Sequence, residues 1–362
     1  MSTHSDTVAA PQTDGRDSED VLLDVRGLTV EYIGVDRSVT ACADITVQLR
    51  RGEILGVAGE SGSGKSTLIT ALTRLQRPPA VTTAGQILLR DNGRQLDLAR
   101  LDEQQLRSLR WNTVSIVLQS AMDALNPVMR LGAQFADVLR EHEPRISTDQ
   151  VVERTRELLA MVGIPGNRMR SYPHELSGGM RQRAMIALAL ACNPQLVVMD
   201  EPTTAVDVVM QRQIVGQILR LREKLGFAVV FVTHDLSLLL EMADRIAIMY
   251  AGRIVEIGSS AEIYATPQHP YTRGLRDSFP PLHAPLEKLS GIPGAPPDLN
   301  HLPAGCPFHP RCPHRFRPCD GNRPELLPIA TTGRHKESAG QFAACHLHDP
   351  ATRPAELMSD AD

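Results

Sequence analysis

Residues 59–67, GESGSGKST, are the stretch of this 362-residue chain whose residue types could most directly do chemistry. They contain the pattern Gly-x-x-x-x-Gly-Lys-Ser, with Gly59, Gly64, Lys65 and Ser66 at the fixed positions. Glycines let backbone N–H groups turn inward around phosphate oxygens. A lysine adds a full positive charge for the outer phosphates, and a serine hydroxyl can ligate Mg²⁺. The pattern therefore predicts a phosphate-binding loop.

The segments on either side of this loop supply the context that such a loop needs. ILGVA is an apolar run of strand length, and STLITALTRL repeats its apolar residues with the period of a helix. The order strand, glycine loop, helix brings the partially positive helix N-terminus against the phosphates. The alternative, a flexible loop that happens to contain Lys65, needs no such flanking elements.

Three further apolar runs end in polar residues that could act on a nucleotide. LVVM precedes Asp200 and Glu201, FAVVFVT precedes His234, and VSIVL precedes Gln119. A carboxylate at the end of a central parallel strand would face magnesium, and its neighbour could orient and polarise the attacking water. We expect His234 to contact the γ-phosphate and Gln119 to reach metal or water.

A second helix start that could bind an anion lies at SGG, residues 177–179, ahead of the helical stretch RQRAMIALALACNP. Taken alone, Ser177 is only an N-cap followed by flexible glycines. In a chain that already has one phosphate loop, the same residues predict a second phosphate-facing helix end. Two such helix ends in one subunit imply a composite site.

In order and spacing, these motifs resemble the nucleotide-binding subunit of ABC transporters, over about residues 21–265. The resemblance implies that Glu201 is the catalytic glutamate, His234 the switch histidine and Gln119 the Q-loop glutamine that couples the site to a membrane partner. The serine and glycines of SGG would contact ATP bound on the opposite subunit. Residues implied to ligate Mg²⁺ are Ser66, Gln119 and Asp200. Residues implied to bind ATP are Tyr32, Gly59, Ser61, Gly62, Ser63, Gly64, Lys65, Ser66, Thr67, Ser177, Gly178, Gly179 and Asp207.

Two of these positions need comment. Tyr32 sits where the family places an aromatic residue that stacks on adenine, and the alternative is an aromatic that packs on its own strand. The family's D-loop is usually SALD-like, whereas Thr204 and Val206 here replace the serine and leucine and leave Asp207 intact. Because the acid is retained, we expect ATPase activity.

The same resemblance implies a fold and its divisions. We expect an α/β P-loop NTPase (RecA-like) fold, with an ABC ATPase core at residues 21–265. The core would contain an N-terminal antiparallel β-subdomain and an inserted α-helical subdomain at about residues 120–190. A small Pro/Cys-rich module would follow at residues 266–350, and residues 1–20 and 351–362 would be disordered tails.

Longer phrases narrow the resemblance to the ATPases of dipeptide, oligopeptide and nickel importers. QSAMDALNPVMRLGAQ, YPHELSGGMRQR, HPYTRGL and IPGAPPDLNHLPAGCPFHPRC extend it to about residue 350. It implies ATP-driven peptide import, with nickel, glutathione or a peptide-like compound as alternative solutes. It also implies a heterodimer with a second ABC ATPase, two membrane permeases and an extracytoplasmic binding protein. The subunit would lie peripherally on the cytoplasmic face of the membrane.

Four of the six cysteines crowd the C-terminal end, at Cys306, Cys312, Cys319 and Cys345, in proline-rich sequence that predicts little regular structure. Four thiolates suit a tetrahedral zinc or an iron–sulfur cluster, and a metal would staple a module with little core. The lack of a Cys-x-x-Cys spacing weakens a zinc-ribbon interpretation. Free thiols are the third alternative. The resemblance to importer ATPases implies a 4Fe–4S cluster.

The composition argues against other functions. A formal net charge of −4 and an aromatic content of 4% give little support to nucleic-acid binding, and no apolar run approaches the ~18 residues of a membrane helix. A soluble ABC-type ATPase acting on DNA or the ribosome is an alternative, but the sequence has neither long heptads nor a second Walker loop. A metal-binding regulator with a vestigial ATPase is disfavoured by the intact Lys65, Asp200, Glu201 and His234.

Overall fold

Two sheets organise the part of the chain that the structure describes. The computed structural model describes residues 20–119, 124–203, 207–278, 291–329 and 340–353. A four-stranded sheet has the order β2-β1-β4-β5, and an eight-stranded sheet has the order β11-β12-β10-β9-β3-β8-β7-β6. The strands are β1 (Val21–Ile33), β2 (Ser38–Arg50), β3 (Ile54–Ala58), β4 (Ala80–Asp91), β5 (Arg94–Asp97), β6 (Val114–Val117), β7 (Leu196–Asp200), β8 (Ala228–Val232), β9 (Arg245–Tyr250), β10 (Arg253–Ser259), β11 (Leu327–Pro328) and β12 (Phe342–Ala343).

The four-stranded sheet is antiparallel, with β1 pairing with both β2 and β4. One face of β1 is buried through Val25, Leu28 and Val30, while its C-terminal end, with Ile33, is exposed. A half-buried antiparallel sheet of this kind has one face packed on the core and one face in solvent. Tyr32 lies at this exposed end of β1, next to the last residue of the strand.

Five strands of the larger sheet, β6, β7, β8, β3 and β9, lie parallel to one another in that spatial order. Every residue of β3, β7 and β8 is buried, as expected where helices cover both faces of a parallel sheet. The carboxyl ends of these strands lie at one edge, where ligands bind in open α/β sheets. The candidate catalytic residues Gln119, Glu201 and His234 lie just after three of these strands, β6, β7 and β8.

Nine α-helices lie in the described residues, and several begin at a side-chain cap. The Ser147 hydroxyl accepts a hydrogen bond from the backbone N–H of Gln150, and the side-chain oxygen of Gln150 accepts one from the backbone N–H of Ser147. Such a capping residue stabilises a helix by about 1 kcal/mol. The helices are α1 (Lys65–Leu72), α2 (Glu103–Leu109), α3 (Leu131–His142), α4 (Thr148–Met161), α5 (Gly178–Ala189), α6 (Val208–Leu225), α7 (Leu236–Met242), α8 (Ser260–Ala265) and α9 (Pro270–Asp277).

Buried polar contacts join the C-terminal segments to the large sheet. The short strand β12 pairs antiparallel with β10, the strand that contains Glu256. The Glu256 side chain is fully buried and accepts hydrogen bonds from the backbone N–H groups of Gln268 (2.7 Å) and His269 (2.8 Å). It also accepts one from the side-chain amide of Gln341, at 2.7 Å. Burial raises the pKa of Glu256 although these donors favour the carboxylate.

The predicted α/β fold class, with an antiparallel sheet beside a largely parallel one, is confirmed. The structure has α3, α4 and α5 where the sequence predicted an inserted helical subdomain, but the domain boundaries stay a prediction. Most of the two predicted tails, residues 1–19 and 354–362, and Thr204 and Val206 of the predicted D-loop lie outside the described residues. Among the described helices, none has the length and apolar character needed to cross a membrane.

Candidate nucleotide-binding site

The predicted phosphate loop joins the end of β3 to the start of α1, and its backbone requires glycine. Gly62 and Gly64 have φ angles of +79° and +102°, a region that residues with a side chain rarely adopt. A Cβ atom on Gly64 would stand 2.3 Å from the carbonyl oxygen of Ala41, and one on Gly59 would stand 2.2 Å from that of Met249. The loop is thus wedged against neighbouring backbone, which fixes its curvature.

Lys65, the first residue of α1, lies inside the curve of this loop. Its ammonium group donates hydrogen bonds to the carbonyl oxygens of Gly59 (2.7 Å) and Glu60 (2.9 Å). Burial lowers the pKa of Lys65, and the charges of Glu201, Asp200 and Glu60 oppose that shift. The lysine therefore lies within electrostatic reach of the acidic pair at the end of β7, as a nucleotide site of this type requires.

Asp200 ends β7 with a carboxylate that is largely removed from solvent. Its Oδ1 atom has no hydrogen-bond partner among the described residues. Burial raises the pKa of Asp200, Glu201 adds to the shift, and a hydrogen bond from Ser66 and the charge of Lys65 oppose it. A buried carboxylate oxygen that lacks a partner, next to a serine hydroxyl, is the kind of oxygen ligand set that Mg²⁺ prefers. These residues fit a magnesium ion.

Two of the predicted catalytic residues, Gln119 and His234, contact the third, Glu201. Gln119 donates a hydrogen bond from its side-chain amide to Glu201 Oε2 at 2.9 Å, and His234 Nδ1 lies 3.2 Å from Glu201 Oε1. Glu201 has a φ angle of +44°, which is uncommon for a residue other than glycine. Its backbone N–H also bonds to the carbonyl of Val232. The parallel order of β6, β7 and β8 thus brings together three side chains from distant parts of the sequence.

Tyr32 lies beside the phosphate loop with its ring partly open to solvent. Its hydroxyl group is 3.2 Å from the Thr67 hydroxyl, and the residue is 38% exposed. A partly exposed ring at the rim of a nucleotide site is available for stacking, whereas an aromatic packed into the core is not. The geometry agrees with the predicted adenine contact, which stays a prediction.

Ser177 and Asp207 are both N-cap residues on helices away from this loop. Ser177 caps α5 by accepting from the backbone N–H of Met180, and Asp207 caps α6 by accepting from that of Met210. Within the described residues, no hydrogen bond or ion pair joins residues 177–179 to the phosphate loop. The exposed Ser177 end of α5 thus makes no polar contact with the loop of its own chain across the described ranges.

The four C-terminal cysteines border one small cavity, together with Phe308, Phe316 and several histidines. Burial raises the pKa of Cys345 to about 12, and the thiols of Cys306, Cys312 and Cys319 add to that shift. Burial likewise raises the pKa of Cys306, to about 11. The sequence prediction that the four thiols come together agrees with this. Across the described ranges, however, no group of three or more Cys, His, Asp or Glu side chains has the geometry to hold a metal ion.

Two family models match the chain: ABC transporter, at residues 42–204, and oligopeptide/dipeptide transporter, C-terminal region, at residues 255–319. The oligopeptide transport ATP-binding protein OppD of Salmonella typhimurium is 41% identical over 95% of this chain and 98% of its own length. The dipeptide transport ATP-binding protein DppD of Bacillus subtilis is 38% identical over 94% of this chain and 98% of its own. This chain belongs to the oligopeptide/dipeptide ABC transporter family.

Solved ABC cassettes share the fold of the ATPase part. A dimeric post-hydrolysis state of the ATP-binding cassette MJ0796 bound to ADP and Pi is 25% identical, with a TM-score of 0.58, over 66% of this chain and 99% of that one. A second dimeric structure of MJ0796, described as a bacterial ABC transporter cassette, is 26% identical with a TM-score of 0.57. The chain is thus an ABC ATPase, as predicted, while the roles of its individual site residues stay predictions.

One residue of the phosphate loop of this ABC ATPase, and two residues that bond to it, received no role from the motifs. They are Glu60, within the loop, and Tyr271 and Arg311, from the C-terminal part of the chain. The only signal in the sequence was that Tyr271 lies in the phrase HPYTRGL and Arg311 in CPFHPRC, both of which belong to the family resemblance. Neither phrase indicates by itself which other residue it contacts.

Proposed function

We propose that this ABC ATPase uses ATP binding and hydrolysis to drive the import of dipeptides or oligopeptides. The named relatives are peptide transport ATP-binding proteins that align along nearly the full chain. The second family match covers a region specific to oligopeptide and dipeptide transporters. The solute itself would be selected by partner subunits, because the proposed site of this chain handles nucleotide.

In the proposed reaction, Glu201 orients and polarises the water that attacks the γ-phosphate. His234 and Gln119, both in contact with Glu201, hold the carboxylate in place and contact the phosphate and metal side of the site. Lys65 and the backbone N–H groups of residues 59–67 offset the charge that develops on the leaving phosphate. Mg²⁺, held by Ser66, Asp200 and Gln119, would supply further neutralisation of phosphate charge.

The observation that carries this proposal is the convergence of Gln119 and His234 on Glu201, near the lysine of the phosphate loop. Glu201→Gln should therefore retain MgATP binding while steady-state hydrolysis falls by at least ~10²-fold, the scale of a lost general base. Glu223→Gln, an exposed glutamate on α6, is the matched control and should hydrolyse ATP at the wild-type rate. Near wild-type turnover in Glu201→Gln would show that Glu201 is not the base.

We further propose that the site is completed by a second ABC ATPase, with two permeases and a binding protein forming the rest of the importer. Ser177 is exposed at the start of α5 and, in the part of the chain that the structure describes, makes no hydrogen bond to its own phosphate loop, which suits a contact with ATP on a partner. Both solved neighbours named above are dimers. In the assembled importer, on the cytoplasmic face of the membrane, Ser177→Arg should lower hydrolysis at the partner's loop; unchanged hydrolysis there would exclude this role.

We propose that Cys306, Cys312, Cys319 and Cys345 hold an iron–sulfur cluster, with zinc as the alternative. The support is the donor set and the shared cavity, since the four thiols border one small cavity and those of Cys306, Cys312 and Cys319 add to the raised pKa of Cys345, which favours a cation among them. A protein purified without oxygen should show cluster absorption near ~400 nm, lost in Cys345→Ser. A colourless protein with bound zinc would favour the alternative, and a metal-free protein would refute both.

A further inference from the structure

Glu60, the second residue of the phosphate loop, is held from two sides by the C-terminal part of the chain. Arg311 donates two parallel hydrogen bonds to its carboxylate, from Nη1 to Oε2 at 2.7 Å and from Nη2 to Oε1 at 2.9 Å. Tyr271 accepts a hydrogen bond from the Glu60 backbone N–H at 2.8 Å. These contacts join residues that are 251 and 211 positions apart in the sequence. Both the side chain and the backbone of Glu60 are therefore fixed.

Arg311 is itself fixed, so that it can act as a rigid support. Its side chain is only 6% exposed. Its Nε donates a hydrogen bond to the carbonyl of Pro293 at 2.8 Å, and its Nη1 donates one to the Tyr250 hydroxyl at 3.2 Å. Its guanidinium carbon lies 5.9 Å from the ring centres of Tyr250 and Phe308. A bidentate arginine–carboxylate pair imposes orientation as well as attraction. Because the arginine cannot turn, the glutamate cannot turn either.

Tyr271 is fixed in the same way, by packing and by the start of α9. It is fully buried, and its ring centre lies 4.6 Å from that of Tyr250 and 5.5 Å from that of Phe308. Its backbone N–H donates to the side chain of His269. The two supports of Glu60 therefore share one aromatic cluster, made of Tyr250, Tyr271 and Phe308.

The other side of Glu60 faces the lysine of the loop. The carbonyl oxygen of Glu60 accepts a hydrogen bond from Lys65 Nζ at 2.9 Å. A shift of Glu60 would therefore move one of the two carbonyl groups that orient this ammonium group. The path from Arg311 to Lys65 runs through a single residue.

We propose that Arg311 and Tyr271 are positioning residues for ATP: they fix Glu60, keep the loop in its phosphate-binding shape, and so make the C-terminal module part of the ATP site. This inference rests on the proposed role of residues 59–67 in phosphate binding. It also goes beyond it, because it makes nucleotide affinity depend on residues 211 and 251 positions away from Glu60 in the sequence.

The test is a double-mutant cycle in the assembled importer, with Arg311→Met, Glu60→Gln and the combination. Misplacement of a group by about 1 Å can lower the rate of a reaction on the order of 10²-fold. We therefore expect kcat/KM for ATP to fall by about 10- to 100-fold in each single variant. Most of the fall should appear as a higher KM and a higher dissociation constant for MgATP, because Arg311 acts on the phosphate loop through its bonds to Glu60. The double variant should be no worse than the poorer single variant.

Two further variants serve as a matched control and as a mild test. Arg315→Met removes an exposed arginine from the same module and should bind MgATP with wild-type affinity. Tyr271→Phe keeps the ring in the aromatic cluster and removes only the hydroxyl that accepts from Glu60, so it should weaken MgATP binding without lowering the melting temperature much. Tyr271→Phe and Glu60→Gln decide the question if Arg311→Met does not fold.

The inference is wrong if Arg311→Met binds MgATP as tightly as Arg315→Met, or if the effects of Arg311→Met and Glu60→Gln multiply in the double variant. Lys65→Ala separates this failure from failure of the proposed function. If Lys65→Ala loses MgATP binding while the Arg311 and Tyr271 variants keep it, the phosphate loop is confirmed and only the positioning role is lost. If Lys65→Ala still binds MgATP normally, the proposed function itself fails.

Discussion

The nucleotide site and the C-terminal part of the chain beyond residue 266, predicted to be a separate module, are positioned by different forces. Around the nucleotide site, functional side chains follow strands that are buried on all sides, so hydrophobic packing and ladder hydrogen bonds place them. In the described residues beyond 266, the regular elements are α9, one short 3₁₀ turn and two strands of two residues each. Buried polar groups connect this region to the rest of the protein, through Arg311 within it and through Glu256 on β10, which accepts from its backbone.

This difference has an energetic consequence. Apolar burial is non-directional and spread over many contacts, so a core loses stability in proportion to the volume removed. A buried polar anchor is directional, and removing one partner leaves the others desolvated and without a hydrogen bond. We therefore expect core substitutions to weaken the whole protein, and anchor substitutions to loosen the module first.

The largest expected effect is in the core of the parallel sheet. Phe231→Ala removes a fully buried ring from β8 and should lower the free energy of unfolding by about 3–5 kcal/mol. Urea denaturation followed by circular dichroism measures this change. Val35→Ala, at a fully exposed position, should stay within about 0.5 kcal/mol of wild type. A small loss in Phe231→Ala would contradict the idea that packing positions the nucleotide site.

An intermediate loss of stability is expected at Glu256, the buried carboxylate that binds the C-terminal segments. Glu256→Gln keeps the shape of the side chain but turns an amide NH₂ toward groups that already donate hydrogen bonds, so we expect a loss of about 1–3 kcal/mol. Limited proteolysis should cut the C-terminal module before the ATPase part. Glu325→Gln, an exposed glutamate in the same module, is the control. If both variants resist protease equally, Glu256 does not hold the module.

The smallest expected effect is at the rim of the nucleotide site. Tyr32→Ala removes the ring proposed to stack on adenine and should weaken MgATP binding by about 0.5–1.5 kcal/mol, the value of an aromatic stacking contact. Tyr32→Phe should bind normally, since only the hydroxyl contact with Thr67 is lost. Titration with a fluorescent ATP analogue measures both. Tyr264→Ala, another exposed tyrosine, should have no effect, and equal losses in both alanine variants would exclude stacking.

The contrast between packing at the nucleotide site and polar contacts in the C-terminal part also explains which features the sequence could predict. The phosphate loop is a local feature, because strand, glycines and helix follow one another within about twenty residues. Asp200, Glu201, His234 and Gln119 were each predicted from a strand end, and the parallel order of β6, β7 and β8 then brings them to one edge. Their position at one edge could be predicted from strand periodicity and the rule that carboxyl ends of parallel strands share an edge, whereas their individual roles were implied by the family resemblance.

The contacts of the C-terminal module could not be predicted in this way. The pair Arg311–Glu60 joins residues 251 positions apart, and no periodic pattern marks either partner. The left-handed backbone of Glu201 was also not foreseeable, since its residue type does not favour a positive φ angle. Such features depend on tertiary packing that a single sequence does not encode in any local pattern.

The pairing of β12 with β10 has a practical consequence for anyone who wishes to study a smaller ATPase. A chain shortened after Ala265 would lack Phe342 and Ala343, and with them the strand that pairs with Glu256 and Ile257 on the outer edge of β10. Open strand edges carry rows of N–H and C=O groups that recruit other chains. We expect such a fragment to associate edge to edge with its own copies, so its self-assembly would report the missing strand and not the proposed association with a second ATPase.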